Sequence, residues 1–122
     1  MPRVVHFEID AENPEQAIKF YRKVFDWKIE KWKGPIEYWL IMTGNEKEPG
    51  IDGGLGRRTE NEPSTVNTID VNSIDEYTKR IKAHGGRIVR PKQAVPGVGW
   101  MAYFQDPEGN HWGIMQADKN AR

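Results

Sequence analysis

The run YFQDPEGNHW, residues 103–112, is the most informative stretch of the sequence. Two apolar, β-prone segments flank a dense turn signal that extends from Asp106 to Asn110. Pro107 fixes its φ near about −65°, Gly109 tolerates a positive φ, and the Asp106 and Asn110 side chains can bond the turn backbone. The stretch therefore predicts a strand, a tight turn and a returning strand, with the turn setting the register of the pair.

Length and composition exclude several classes of protein. The chain has 122 residues, which suits one domain with its own core, and 18 basic residues balance 18 acidic ones. Zero formal charge gives no electrostatic reason to expect nucleic acid or a membrane surface as a partner. The absence of cysteine excludes disulfides and thiolate chemistry. No signal segment or membrane-length apolar run is found, so we expect a cytoplasmic protein.

The order of the predicted elements repeats along the chain. A strand at residues 4–10 precedes a helix capped by Asn13, and a strand at residues 65–71 precedes a helix capped by Ser73. Sliding the chain by about sixty residues superposes the two halves, which is typical of an internal repeat. We predict an α+β fold with one domain, residues 1–122, made of two βαβββ modules at about 1–58 and 64–118. The segment Asn61-Glu62-Pro63 is the expected linker.

Local patterns add detail to the first module. The alternation in its first strand places His6, Glu8 and Asp10 on one face and apolar residues on the other. The first helix should end at Asp26, with positive φ. The helix should pack on the sheet through an apolar stripe formed by Ala17, Phe20, Tyr21 and Val24. The glycine-rich run at residues 50–56 should be a bulged strand that another group approaches closely.

The second module ends in three more predicted strands. The first should stop at Arg90, before a proline- and glycine-rich loop that runs through Gly99 and could close over a ligand. The other two strands are expected at residues 100–105 and 111–116. Residues 119–122 should form a frayed tail.

The motif order resembles the vicinal oxygen chelate superfamily, which includes glyoxalase I, extradiol dioxygenases and bleomycin-binding proteins. The resemblance rests on the AIKFY run in the first helix, the Gly85-Gly86 pair and the DPEGN turn. The runs IDGGL at 51–55 and VPGVGW at 95–100 are similar to those of the lactoylglutathione-lyase-related branch. This resemblance implies an eight-stranded mixed sheet curved into a cup, with helices outside and a ligand inside, and a homodimer.

In metal-dependent relatives, the first and last strands of each module supply the ligands of a divalent metal. By this resemblance His6 matches one such position, but Val66 and Gly113 stand at two others. The fourth falls in the run Asp52 to Leu55, on a glycine. One imidazole is a poor site for a catalytic cation, so no cofactor is expected. An alternative divalent metal site would combine His6 with Glu8, His111 and Asp52.

The candidate ligand-binding residues are polar or aromatic side chains on strands: His6, Glu8, Trp39, Trp100, Tyr103 and His111. Alternation sends some aromatic residues to the helix-packing face and others to the cup. We expect a protein that binds a small organic ligand in the cup. The alternative is a metal-dependent lyase, isomerase or dioxygenase that uses His6 with substitute ligands. A metal-independent enzyme with His6 as general base, assisted by Glu8, is a third hypothesis.

Overall fold

A computed structural model describes residues 2–59 and 65–122. The expected linker Asn61-Glu62-Pro63 lies outside the described residues. Within them, no helix is both long and apolar enough to cross a membrane. The elements, in chain order, are β1 (Arg3–Ala11), α1 (Pro14–Phe25), β2 (Lys28–Lys31), β3 (Tyr38–Met42), β4 (Asp52–Arg57), β5 (Thr65–Asp70), α2 (Ile74–Ala83), β6 (Arg87–Val95), β7 (Gly99–Gln105) and β8 (His111–Ala117).

The eight strands form one open, mixed sheet in the order β2-β3-β4-β1-β5-β8-β7-β6. Two pairs of strands are parallel: β1 with β4, and β5 with β8. The other pairs are antiparallel: β3 pairs with β2 and β4, and β7 pairs with β6 and β8. The same order of one strand, one helix and three strands occurs twice. The predicted α+β fold of two βαβββ modules is therefore confirmed.

The chain divides into two compact units: an N-terminal unit of residues 6–66 and a C-terminal unit of residues 1–5 and 67–122. In the N-terminal unit, α1 packs on one face of the sheet. The side chains of Phe7 and Ile9 of β1 lie on that same face. The buried core there consists of Ile18, Ile29, Trp39, Ile41 and Leu55. His6 and Glu8 alternate with these apolar residues of β1, so they lie on the opposite face.

Both ends of α1 are as expected, but its packing stripe is not. The Asn13 side chain accepts a hydrogen bond from the Gln16 amide at 3.1 Å, and Asp26 has φ 56°. Ile18 is the buried helix residue in the core, whereas Phe20 and Val24 are 56% and 54% exposed. The stripe prediction was wrong at these two positions, because the helix contacts the core through Ile18, Ala17 and Tyr21 instead.

The predicted turn is confirmed in the C-terminal unit. The Asp106 carboxylate accepts hydrogen bonds from the Glu108 and Asn110 amides, both at 2.9 Å, and Gly109 has φ 86°. The Asn110 side chain, more than any other group, lowers the pKa of Asp106. With the turn so fixed, Gln105 pairs with His111 and the register of β7 and β8 follows.

Two strand predictions need correction. β6 continues through Pro91 to Val95 instead of ending at Arg90. It lies at the end of the strand order, where a missing N–H on the outer side is tolerated. β4 carries no bulge, because its residues pair consecutively with both β1 and β3. Its glycines instead admit neighbouring groups: a Cβ on Gly53 would lie 2.5 Å from the Phe7 carbonyl oxygen.

The C-terminal residues are not frayed, so that prediction was wrong. The Gly97 amide donates to the Ala121 carbonyl at 3.1 Å, and the Asp118 amide donates to the Val98 carbonyl at 3.0 Å. Ala121 is 2% exposed. These bonds tie the turn between β6 and β7 to the chain terminus, which leaves the turn less free to close over a ligand than its composition indicates.

Candidate ligand-binding site

The polar face of β1 lies beside a face of β4 on which two of the three paired residues are glycines. His6 pairs with Asp52, whereas Glu8 pairs with Gly54 and Asp10 with Gly56. Because the two glycines alternate on one face of β4, they leave a trench between β1 and β3. The trench is the structural reason for the glycine-rich run in the sequence.

The side chain of Tyr38 fills this trench. Its ring starts beside Gly56, where Cδ1 is 3.7 Å from the position of an added Cβ. Its hydroxyl group takes the space where a Cβ on Gly54 would lie. From there the hydroxyl reaches the Nε2 atom of His6 at 3.1 Å. Trp32 supports the ring in a T-shaped contact, with centroids 6.2 Å apart.

Burial keeps both members of the Tyr38–His6 pair uncharged. It lowers the pKa of His6, although the charge of Asp52 opposes the shift. Burial also raises the pKa of Tyr38, and the carboxylates of Glu8 and Asp10 add to the effect. At neutral pH a protonated hydroxyl therefore faces a neutral imidazole. Sequence patterns associate His6 with Glu8 and do not identify Tyr38 as its partner, because only the pairing of β1, β4 and β3 brings Tyr38 to His6.

The C-terminal unit repeats part of this arrangement. Thr68 and Tyr103 both pair with Gly113, as Glu8 pairs with Gly54 in the other unit. A Cβ on Gly113 would lie 3.2 Å from Thr68 Oγ1 and 3.3 Å from Tyr103 Cε1. In each unit a tyrosine ring from the neighbouring strand thus lies against a glycine.

His111 belongs to a short polar network on the same face as Tyr103. Arg87 donates to the Gln105 side-chain oxygen at 2.6 Å, and Gln105 Nε2 lies 2.8 Å from His111 Nε2. Because arginine only donates, the Gln105 oxygen must face Arg87 and its NH₂ group must face His111. His111 Nε2 accepts that bond, so the neutral ring carries its proton on Nδ1.

The two tryptophans among the candidates lie on the helix-packing faces. Trp39 is 9% exposed in the core under α1, on the face opposite His6. Trp100 packs on the core under α2 and donates its ring N–H to Asp118 at 3.0 Å, with Lys92 4.8 Å from the ring centroid. Tyr38 and Tyr103 lie on the same faces as the polar candidates in their own units.

The metal set implied by the resemblance does not fit these residues. Val66 is an apolar side chain, 5% exposed. Gly54 and Gly113 have no donor atoms, and a larger residue at 54 would overlap Tyr38. No group of three or more histidine or carboxylate residues within 2–59 and 65–122 is arranged to hold a metal ion. Within the N-terminal unit, His6, Glu8 and Asp52 of the alternative set are therefore not assembled as a metal site.

Comparison with known proteins identifies the family. No curated protein matches the sequence. A variant of Streptomyces coelicolor methylmalonyl-CoA epimerase, in complex with 2-nitronate-propionyl-CoA, is similar in structure, with TM-score 0.70, 12% identity and coverage of 100% of this chain and 99% of the epimerase. A Vibrio splendidus glyoxalase/bleomycin resistance protein/dioxygenase superfamily member has TM-score 0.64, 17% identity and coverage of 97% and 100%.

NAD-dependent benzaldehyde dehydrogenase from Legionella pneumophila gives TM-score 0.66 and 19% identity over 93% of this chain and 98% of that protein. At such identities the likeness to solved structures shows the fold alone. The family model matches residues 3–114, nearly the whole chain. The chain therefore belongs to the Glyoxalase/Bleomycin resistance protein/Dioxygenase superfamily.

Proposed function

We propose that the chain binds a small organic ligand on the polar sheet face around His6, without the metal set of its metal-dependent relatives. The observation that carries the proposal is the position of Tyr38. Its hydroxyl group takes the space in which a side chain on Gly54 would start. A metal-binding carboxylate at position 54 and the tyrosine in its present position exclude each other.

The remaining groups suit ligand recognition by hydrogen bonds. The Tyr38–His6 pair is neutral and partly buried, and the carboxylates of Glu8 and Asp10 lie on the same face of the neighbouring strand. Leu40 and Met42 alternate with buried residues of β3, so they add apolar surface to the face that Tyr38 occupies. A few polar groups set in apolar surface are typical of a small-molecule site.

Metal analysis combined with a ligand screen tests the proposal. Protein purified without chelator should contain no stoichiometric divalent metal, and a library of small aromatic and aliphatic compounds should include members that raise the melting temperature. The His6→Ala and Tyr38→Phe variants should lose that rise, whereas Glu108→Gln, in the exposed turn, should keep it. A stoichiometric metal that is lost on His6→Ala would instead support the metal-dependent lyase, isomerase or dioxygenase alternative.

A second candidate is a metal-independent enzyme with His6 as general base. The lowered pKa of His6 favours it, because the imidazole is then unprotonated at neutral pH and can accept a proton. Thioester and ketone probes incubated in D₂O should then gain deuterium next to the carbonyl. That exchange should disappear in His6→Gln. Exchange at equal rates in both proteins would remove His6 as the base.

Three further expectations from the sequence remain proposals. The IDGGL and VPGVGW runs support a place in the lactoylglutathione-lyase-related branch. The cysteine-free composition is in keeping with a cytoplasmic protein. A homodimer would cover the apolar side chains that α1 exposes, of which Phe20, Val24 and Phe25 are 54–56% exposed. Light scattering that gives a monomer mass at micromolar concentration would remove the dimer.

A further inference from the structure

A β-bulge in the C-terminal unit directs two arginines to one face of the sheet. Arg87 pairs with Gln105, but Arg90, three residues later, pairs with Tyr103, which is only two residues from Gln105. The extra residue, Val89, is accommodated by the register shift between Ile88 and Arg90. Without it, alternation would send Arg87 and Arg90 to opposite faces. Bulges of this kind re-aim side chains and are common beside binding sites.

The same face carries a buried hydroxyl that has no partner among residues 2–59 and 65–122. Thr68 is 0% exposed, and its Oγ1 atom makes no hydrogen bond within this part of the chain. Buried hydroxyl groups are almost always bonded, because leaving water without a new partner is costly. Oγ1 lies 3.2 Å from the space where Gly113 lacks a side chain, and the Tyr103 ring edge borders that space at 3.3 Å.

Beyond Gly113, the same face of β7 and β6 carries several hydrogen-bond donors. The Arg90 guanidinium lies 5.7 Å from the centroid of the Tyr103 ring. Arg87 and Gln105 are joined by a hydrogen bond, as described above. Asp70 is two residues beyond Thr68 and supplies a carboxylate on the same side of β5. Arg90 lies opposite Tyr103 and Arg87 lies opposite Gln105, so both guanidinium groups extend from the same side of β6.

We propose that this face of the C-terminal unit binds the carboxylate end of an organic ligand. The carboxylate pairs with the guanidinium of Arg90 and accepts a hydrogen bond from Thr68, which becomes accessible when the Tyr103 ring turns away from Gly113. A guanidinium has five N–H donors in a planar fork, so Arg90 can bind a carboxylate while it keeps another contact. The inference rests on the proposed function, because it names the chemical class of the ligand.

Three probes that share a benzyl or phenyl skeleton and differ in charge test the inference: benzoate, benzyl alcohol and benzylamine. Their binding to the full chain is measured by NMR titration at millimolar probe concentrations. Benzoate should bind at least about tenfold more tightly than the other two, as expected for a charge-assisted hydrogen bond. Its binding should shift the amide resonances of residues 68, 103 and 113.

Two variants and one charge-matched control assign the contacts. Thr68→Val keeps the shape of the side chain, so the fold should remain and the melting temperature should not fall, but benzoate affinity should drop about fivefold or more. Arg90→Gln should abolish the preference for benzoate. Lys79→Gln, on the exposed surface of α2, removes the same charge and should leave the preference unchanged. This control separates a local contact from a general effect of net charge.

The outcomes distinguish the two proposals. Binding of benzyl alcohol or benzylamine at least as tightly as benzoate would overturn the carboxylate inference and leave ligand binding in place. Unchanged benzoate affinity in both Thr68→Val and Arg90→Gln would overturn it as well. Failure of all three probes to bind, together with a ligand screen that raises no melting temperature, would contradict both the inference and the proposed function.

Discussion

The hydroxyl group of Tyr38 occupies the space where a side chain on Gly54 would begin. The relationship joins two neighbouring strands, because Tyr38 on β3 pairs with Gly56 and its ring extends along β4 towards Gly54. It also brings the Tyr38 hydroxyl to His6, whose Nε2 atom lies 3.1 Å away.

The first prediction concerns the two glycines under the Tyr38 ring. Gly54→Ala should lower the free energy of unfolding by about 1–3 kcal/mol, since the new methyl group overlaps the tyrosine. Gly56→Ala is the matched control: it lies in the same strand, and its Cβ would make ordinary contacts at 3.5 and 3.7 Å. Denaturant unfolding measures both. In the Gly54→Ala/Tyr38→Ala double variant, the cost of the alanine at 54 should largely disappear.

Equal losses for Gly54→Ala and Gly56→Ala would contradict this account of the trench. A fully additive double variant would do so too, because it would mean that the two side chains do not compete for the same space.

The second prediction is a pH dependence that originates at His6. Burial lowers the pKa of His6 in the folded state below its ordinary value of 6.5, so the unfolded chain takes up the proton more readily. Stability should therefore be fully present above about pH 6.5 and should fall as the pH drops below that value. His6→Gln removes the titration and keeps an acceptor for Tyr38, so its stability should change less between pH 7 and 5.

The difference between wild type and His6→Gln isolates this residue from the carboxylates, which titrate at lower pH. If the stability of the two proteins changes in parallel across this pH range, burial does not lower the pKa of His6.

The third prediction concerns the end of α1. Asp26 has φ 56°, a left-handed conformation in which glycine avoids the strain caused by a Cβ atom. Asp26→Gly should raise the free energy of unfolding by about 1 kcal/mol or less, and Asp26→Ala should lower it. Thermal unfolding of the three proteins checks the order. A lower melting temperature for the glycine variant would contradict it.

The fourth prediction concerns the chain terminus. Removal of both Ala121 and Arg122 should destabilise the protein by about 1–2 kcal/mol, because it deletes the hydrogen bond from Gly97 and exposes the space that Ala121 fills. Removal of exposed Arg122 alone should have little effect. If both truncated proteins have the same free energy of unfolding as wild type, residues 121–122 do not support the turn at residues 96–99.

Sequence patterns predicted the fold because they depend on short segments. Each hydrogen bond of the turn and of the helix caps joins residues no more than four positions apart. The turn from Asp106 to Asn110 and the caps Asn13 and Ser73 are all found in their predicted roles. Their order then identifies the repeat. The continuation of β6 through Pro91 was missed, because it depends on that strand lying at the edge of the sheet.

The candidate site was harder to predict because it depends on which strands pair. His6 and Glu8 were placed on the correct face by alternation, but Tyr38 was missed and Trp39 was chosen in its place. The two neighbours point to opposite faces of β3, and only the packing of Trp39 under α1 decides which of them joins His6. The glycines of β4 make room for the Tyr38 ring, which belongs to another strand. The sequence around the glycines therefore does not show this role.

Titration with Mn²⁺ tests whether Tyr38 and His6 form a metal-free binding site. The paramagnetic ion broadens NMR signals of nuclei close to it, so the ring resonances of His6 report whether a metal binds there. We predict that one equivalent of Mn²⁺ broadens the His6 signals no more than those of exposed His84. Selective loss of the His6 signals at one equivalent, reversed by chelator, would contradict the account.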